Sequence, residues 1–170
     1  MIYTRKTAHV SNCGSYRYSL TREWARPSPA ANDKGGSACL FVMLNPSTAD
    51  GMDDDPTIRR CVSFANSWGY GRLVVCNLFA LRATDPRALY KSADPVGSLN
   101  VVTVAANVVE AGLIVCAWGV YGHLKNAGSL FVDGCRRNGH AVHHLGLTTA
   151  GHPRHPLYLP ATTTPTLWTA

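Results

Sequence analysis

The sequence predicts a three-layer α/β/α sandwich, with a central, mostly parallel four-stranded sheet and an N-terminal antiparallel edge strand. Three observations predict it. Short, unbroken apolar runs such as Ala38 to Leu44 (ACLFVML), Leu73 to Leu78 (LVVCNL) and Leu113 to Trp118 (LIVCAW) read as strands buried on both faces. Helix-period segments lie between them, and strand, helix, strand in alternation implies right-handed crossovers between parallel strands. The chain is 170 residues long, 46% hydrophobic and 15% charged, enough for one well-filled core. A single α/β domain with its core at about residues 16–160 is therefore expected.

Each element has a local reason. Tyr16 to Trp24 alternates Tyr16, Tyr18 and Leu20 against Arg17, Ser19 and Thr21, the period of a half-exposed strand, and is read as the edge strand. Arg26 to Gly36 (RPSPAANDKGG) has the composition of a loop. After the strand from Ala38, Asn45-Pro46 stops further pairing, because proline has no N–H to give. Asp55-Pro56 then offers a cap and a first-turn proline, Ile58, Cys61, Val62, Ala65 and Trp68 recur at helical spacing, and Gly69 ends the helix. A second helix is expected from near Pro95 to Gly112, and a third from about Val120 to Asn138 with Gly139 as its stop. Ala141 to Leu147 is the fourth parallel strand, followed by loop.

Composition narrows the setting. No run of about 18 apolar residues exists, and the opening MIYTRKTAHVSNCGSY lacks the apolar stretch of a secretory signal, so a cytoplasmic protein without membrane contact is expected. The six cysteines are dispersed, without a CxxC pair, and read as reduced core residues. Net charge is +6, although four of the ten acids crowd into Asp50, Asp53, Asp54 and Asp55. Arginine outnumbers lysine, and its planar fork suits phosphate, so nucleic acid is a plausible partner beside the alternative of an ordinary solvated surface. Oligomeric state is left open.

In a sheet of this kind ligands bind beyond the carboxyl ends of the strands. Polar residues gather there: Asn45, Ser47 and Thr48 after the first strand, Asn77 and Arg82 at and after the second, Trp118 after the third, and Thr148, Thr149, His152, Arg154 and His155 after the fourth. From the residues alone Asn45-Pro46 reads first as an Asx turn closing its strand and Phe79 and Trp118 as core packing, while Arg82 reads equally as a partner of Asp85. His140, His143 and His144 straddle a strand and point to opposite faces, so no metal site is expected. Glycine-rich phosphate loops are missing, which disfavours a dinucleotide oxidoreductase or a P-loop NTPase.

The segments LNPSTAD, DDPTIRRC, NLFALRATDP, CAWG and HPLYLP resemble an uncharacterised family of small bacterial and phage proteins, domain-of-unknown-function family 1643, over Tyr16 to Pro160. The chain is also similar, more distantly, to the uracil-DNA glycosylase superfamily. Three of that superfamily's features recur in order: an Asn-Pro strand end (Asn45-Pro46), a small-residue Trp-Gly strand end (Cys116-Ala-Trp-Gly119) and a late His-Pro loop (Gly151-His-Pro-Arg-His-Pro-Leu157). Ser47 stands where the mismatch-specific branch has glycine, and the His-Pro loop carries one extra residue.

The resemblance implies hydrolysis of the N-glycosidic bond of an unusual, damaged or modified base in nucleic acid, with DNA ahead of RNA. Such a reaction needs a positioned water, a donor facing the departing base and contacts that extract a nucleotide from the stack. On this reading Asn45 positions the water, His155 or His152 faces the base oxygen, and Asn77 reads the base edge while Phe79 and Trp118 stack on it. Ser47, Thr48, Arg82, Thr148, Thr149 and Arg154 grip phosphates. No cofactor is called for. The alternatives are a noncatalytic nucleic-acid binding module with the same fold, and an enzyme acting on free nucleotides or nucleosides.

Overall fold

The computed structural model describes residues 1–25, 37–47, 49 and 51–169. It is a mixed α/β fold whose seven-stranded sheet carries helices. In chain order the elements are β1 (Tyr3–Val10), β2 (Arg17–Trp24), β3 (Ala38–Met43), α1 (Pro56–Ser67), β4 (Arg72–Asn77), the short α2 (Ala88–Lys91), α3 (Asn100–Glu110), β5 (Ala111–Cys116), α4 (Ala127–Arg137), β6 (His143–His144) and β7 (Thr166–Leu167). Two 3-10 segments, Gly119–Asn126 and Pro156–Tyr158, complete it. The sheet order is β1-β2-β4-β3-β5-β6-β7. Pairings β4 with β3, β3 with β5 and β5 with β6 are parallel, whereas β1 with β2, β2 with β4 and β6 with β7 are antiparallel. The sheet as a whole is therefore mixed, with three parallel and three antiparallel pairings.

Alternation along the strands separates two apolar clusters. Cys39, Phe41, Leu73, Val75 and Val115 pack with Ile58, Cys61 and Phe64 of α1. Leu40, Val42, Val74, Cys76 and Ile114 pack instead with Val108 of α3 and Val132 and Cys135 of α4. The start of α1 is as the sequence predicts: the Asp55 carboxylate accepts from the Ile58 N–H at 2.8 Å, and Pro56 occupies the first turn.

Several expectations are corrected. The segment expected at the sheet edge is antiparallel but internal, because β1 pairs along its outer side. Arg17, expected on the exposed side of that strand, is 3% exposed. A register irregularity between His9 and Val10, opposite Arg17, breaks the period-two pattern there. The helix expected from near Pro95 begins at Asn100 and runs directly into β5 at Ala111, so Gly112 is a strand residue rather than a stop. Its lack of side chain is used, since a Cβ there would stand 2.7 Å from that of Ser37. The helix expected over Val120 to Asn138 is broken: Leu124 is extended (ψ 125°) and Lys125 and Asn126 are left-handed (φ 52° and 55°), so α4 starts afresh at Ala127. Of Ala141 to Leu147 His143 and His144 form the strand, Leu147 makes an isolated bridge with Pro153, and the chain beyond, expected as loop, returns as β7 along β6. The loop expected over Arg26 to Gly36 lies outside the described residues.

Candidate functional site at the strand ends

β4 and β5 flank β3 on opposite sides, so the strand order reverses at β3, and the carboxyl ends of β3 and β5 are the place where a sheet of this kind binds ligands. Backbone bonds draw the neighbouring loops to it. The Ala117 N–H donates to the Val42 carbonyl at 2.8 Å, and the Gly119 N–H to the Pro153 carbonyl at 2.9 Å, which ties the His-Pro loop to the end of β5. On the other side the Leu78 and Phe79 N–H groups donate to the Met43 and Leu44 carbonyls at 2.8 and 3.0 Å. The turns carrying Asn45, Trp118 and residues 152–155 thus come from elements bonded at one end of the sheet.

Asn45 is half-buried with a fixed amide. Its Nδ2 donates to the Ala83 carbonyl at 2.7 Å and to the Pro46 carbonyl at 3.1 Å. Both hydrogens are spent on carbonyls, and an oxygen in that place would be repelled, so Oδ1 is the acceptor left to face a water or ligand. The amide is also structural, since with the Ala83 N–H donating to the Pro46 carbonyl at 2.9 Å it clamps the turn after β3 onto the loop after β4.

The two candidate histidines occupy different surroundings. His155 is half-buried before the second 3-10 segment, and its Nδ1 accepts from the Leu157 N–H at 3.4 Å. An acceptor at Nδ1 puts the proton of the neutral ring on Nε2. Burial lowers its pKa, with an opposing pull from the Asp55 carboxylate at the start of α1, so it is neutral at pH 7. His152 instead lies beside His123, with ring centroids 6.0 Å apart, and its backbone N–H donates to Thr148 Oγ1 at 3.1 Å. It lines a polar cavity of about 350 Å³ with Trp118, His123, Asn126, Ser129, Asp133, Arg136 and Trp168.

Asn77, the last residue of β4, is 1% exposed and its Nδ2 has no partner among the described residues, while its carbonyl accepts from Asn100 Nδ2 at 3.0 Å. Both asparagines line a second, largely apolar cavity of about 470 Å³ between α3 and α4, walled by Val104, Val108 and Phe131. Phe79, expected to stack on a base, is 1% exposed within the α3 and α4 cluster and is core. Trp118 is 4% exposed, edge-on to Phe131 at 5.9 Å and tilted against Trp168 at 6.0 Å. Gly122 and Gly128 make room for its indole: a Cβ on Gly122 would stand 2.0 Å from Trp118 Cδ1.

The expected phosphate ligands are scattered. Ser47 is half-buried in the turn after Pro46, and Thr48 lies outside the described residues. Thr148 closes the turn to His152, Thr149 is exposed beside it, and the exposed Arg154 donates from Nε to the Leu147 carbonyl at 3.1 Å. Arg82 does not pair with Asp85. It donates to the Gly14 carbonyl at 3.3 Å, and Asp85 is taken by Arg87 at 2.8 Å while also accepting from the Arg87 N–H. Arg17 is the residue that sequence reasoning missed. Its backbone N–H donates to the Ala80 carbonyl at 2.9 Å and its buried guanidinium donates to the Ala49 carbonyl, setting a cation between the loop after β4 and the turn after β3. An arginine at the first residue of a strand otherwise alternating with tyrosines is the one signal that pointed to it.

Among the described residues no group of three or more His, Cys, Asp or Glu side chains is placed to hold a metal ion. Five cysteines are buried and free, and Cys13 is exposed. Among the described residues no helix is long and apolar enough to cross a membrane. Residues 17–157 match the model of a family described as Protein of unknown function (DUF1643). No curated protein and no solved structure matches the chain.

Proposed function

From the premise that the chain belongs to the DUF1643 family, we propose that it is a uracil-DNA glycosylase-like protein that hydrolyses the N-glycosidic bond of an unusual, damaged or modified base in nucleic acid. On this reading the fold is a three-layer α/β/α sandwich organised by the parallel strands β4-β3-β5-β6, with β1, β2 and β7 as antiparallel additions. The observation that carries the proposal is the strand-order reversal at β3, with the Asn45-Pro46 turn, the Trp118-Gly119 turn and the His-Pro loop following strands or bonded to strand ends on the same side of the sheet.

In the proposed reaction Asn45 Oδ1 accepts from the attacking water and holds it under the anomeric carbon. An amide is no strong base, so its contribution is orientation. His155, neutral and protonated on Nε2, donates to the base oxygen on which negative charge develops as the bond to the sugar breaks. His155 is preferred over His152 because its tautomer is set by the Leu157 N–H and burial lowers its pKa. Arg17 adds positive charge near the turn that carries Asn45. The cytoplasm is the proposed location, with DNA ahead of RNA as partner.

A second reading, a noncatalytic nucleic-acid module with the same fold, draws on one observation: Phe79 and Trp118 are 1% and 4% exposed, leaving little aromatic surface for stacking on an extracted base. One experiment tests both. Duplex and single-stranded oligonucleotides carrying natural and modified bases are incubated with the protein, and abasic sites are revealed by alkaline strand scission. The expected result is scission with at least one base, reduced on the order of a hundredfold by Asn45→Ala and by His155→Ala in folded protein, with His152→Ala mild. Binding without scission on every substrate selects the second reading.

A further inference from the structure

We propose that the outward face of α3 is a self-association surface, at which a second copy of this chain packs its own α3 antiparallel about a two-fold axis. The residues of α3 exposed to water are Val101, Val102, Ala105, Ala106, Val109 and Glu110, one continuous stripe at helical spacing. Five of these six are apolar, and Val101, Val102 and Val109 are 73%, 60% and 72% exposed. The covered face carries Val104 and Val108, packed in the core, together with Asn100, Thr103 and Asn107. An amphipathic surface helix turns its polar residues to water, whereas here the polar ones other than Glu110 lie on the covered side and the apolar ones face out. Valine is also a mediocre helix former, so its repeated use on an exposed face has no local rationale.

Charge and shape select the occupant. From Asn100 to Val109 the helix carries no charge, so a polyanion finds no cation there. Two copies, each at +6, meet on such a face without like charges in contact. A small molecule in the neighbouring cavity between α3 and α4 would leave Val102 and Ala106 in water, since neither lines it. A second α3 covers the whole stripe. With the two-fold axis between Ala105 and Ala106, the alanines let the backbones approach, Val102 lies opposite Val109 of the other copy, and Val101 lies opposite Glu110.

The ends then complement each other. Leu99, at the N-cap of α3, offers no side-chain acceptor to the first amides of the helix. The two-fold axis brings a carboxylate there, because Glu110 closes the same stripe at the other end and is 64% exposed despite standing 3.7 Å from Arg72. One surface thus supplies both halves of the contact, as an isologous interface requires.

Light scattering coupled to gel filtration over a concentration series tests the proposal, with far-UV circular dichroism and melting as controls for folding. The wild-type protein is expected at twice the 18.3 kDa chain mass at the higher concentrations. Ala106→Asp and Val102→Glu should give folded monomers, and Glu110→Lys should raise the dissociation constant several-fold. Tyr158→Asp, 84% exposed and remote from α3, should leave the dimer intact. A wild-type protein that stays at the chain mass at every concentration overturns the proposal, as does a dimer that persists in folded Ala106→Asp.

Discussion

Replacing Asn45 with alanine removes two hydrogen bonds, to the Ala83 carbonyl at 2.7 Å and to the Pro46 carbonyl at 3.1 Å. Each such bond contributes about 0.5–1.5 kcal/mol net, so the loss is about 1–3 kcal/mol. That exceeds the roughly 1 kcal/mol expected of a lone turn or cap bond, because the amide joins two loops distant in sequence. For a domain of this size about 2 kcal/mol lowers the melting midpoint by about 4–8 °C. Differential scanning calorimetry of wild type and Asn45→Ala at pH 7.5 measures it. Asn45→Asp sharpens the argument, since its carboxylate would face two carbonyl oxygens, and it should melt lower than Asn45→Ala at neutral pH and recover as acid protonates it. A midpoint for Asn45→Ala within about 1 °C of wild type would refute the clamp, given the calibration above. It would also remove the reason for assigning Oδ1 to a water or ligand.

Other consequences can be checked independently. Cys13 is exposed and its pKa is lowered to about 7, chiefly by its contact with Ser11 Oγ, whereas burial raises the other five thiols. A disulfide reagent at neutral pH should therefore find one fast equivalent, abolished by Cys13→Ser, with the rest released only on unfolding. Burial lowers the pKa values of His144 and His155, so between the folded and unfolded values the unfolded chain binds more protons and stability rises with pH. Melting points should fall as pH drops below the unfolded histidine value of about 6.5, and His155→Asn should flatten that slope. Asp54→Ala removes the carboxylate 2.7 Å from the wholly buried Arg22 guanidinium, leaving that charge to backbone carbonyls such as that of Thr21 at 2.9 Å, and should destabilise by about 3–5 kcal/mol in urea titrations. Gly122→Ala drives a Cβ into Trp118 and should cost about 1–3 kcal/mol, with a red shift of tryptophan emission as the ring is displaced.

The sequence by itself determined the elements whose causes are local. Unbroken apolar runs announced β3, β4 and β5, and Asp55-Pro56 announced the start of α1, because burial on both faces and capping of an amide are written in neighbouring residues. It also marked Asn45 and the His-Pro loop as strand-end features, since polar residues after buried strands have few other places to go. What depended on partners distant in the chain was not legible there. β1 lies on the outer side of β2, and β6 and β7 are two-residue strands that exist through their pairing. The break at Lys125 and Asn126 fits a residue pattern that otherwise continues as a helix; the glycines on either side, Gly122 and Gly128, accommodate the Trp118 indole.

At the strand ends the same division holds. The residue types were visible, and so was core packing as a reading of Phe79, but not which histidine lies by Asp55, nor that Arg17 is buried. Side-chain direction at a strand end follows from register, and a single irregularity opposite Arg17 changes it. The outward stripe of α3 shows the limit most plainly. The sequence predicts only a helix there, and the tertiary structure, which sets Val104 and Val108 in the core, leaves Val101, Val102 and Val109 in water. Periodicity tells how many sides of a helix are apolar, and the surrounding chain decides how many of them it covers.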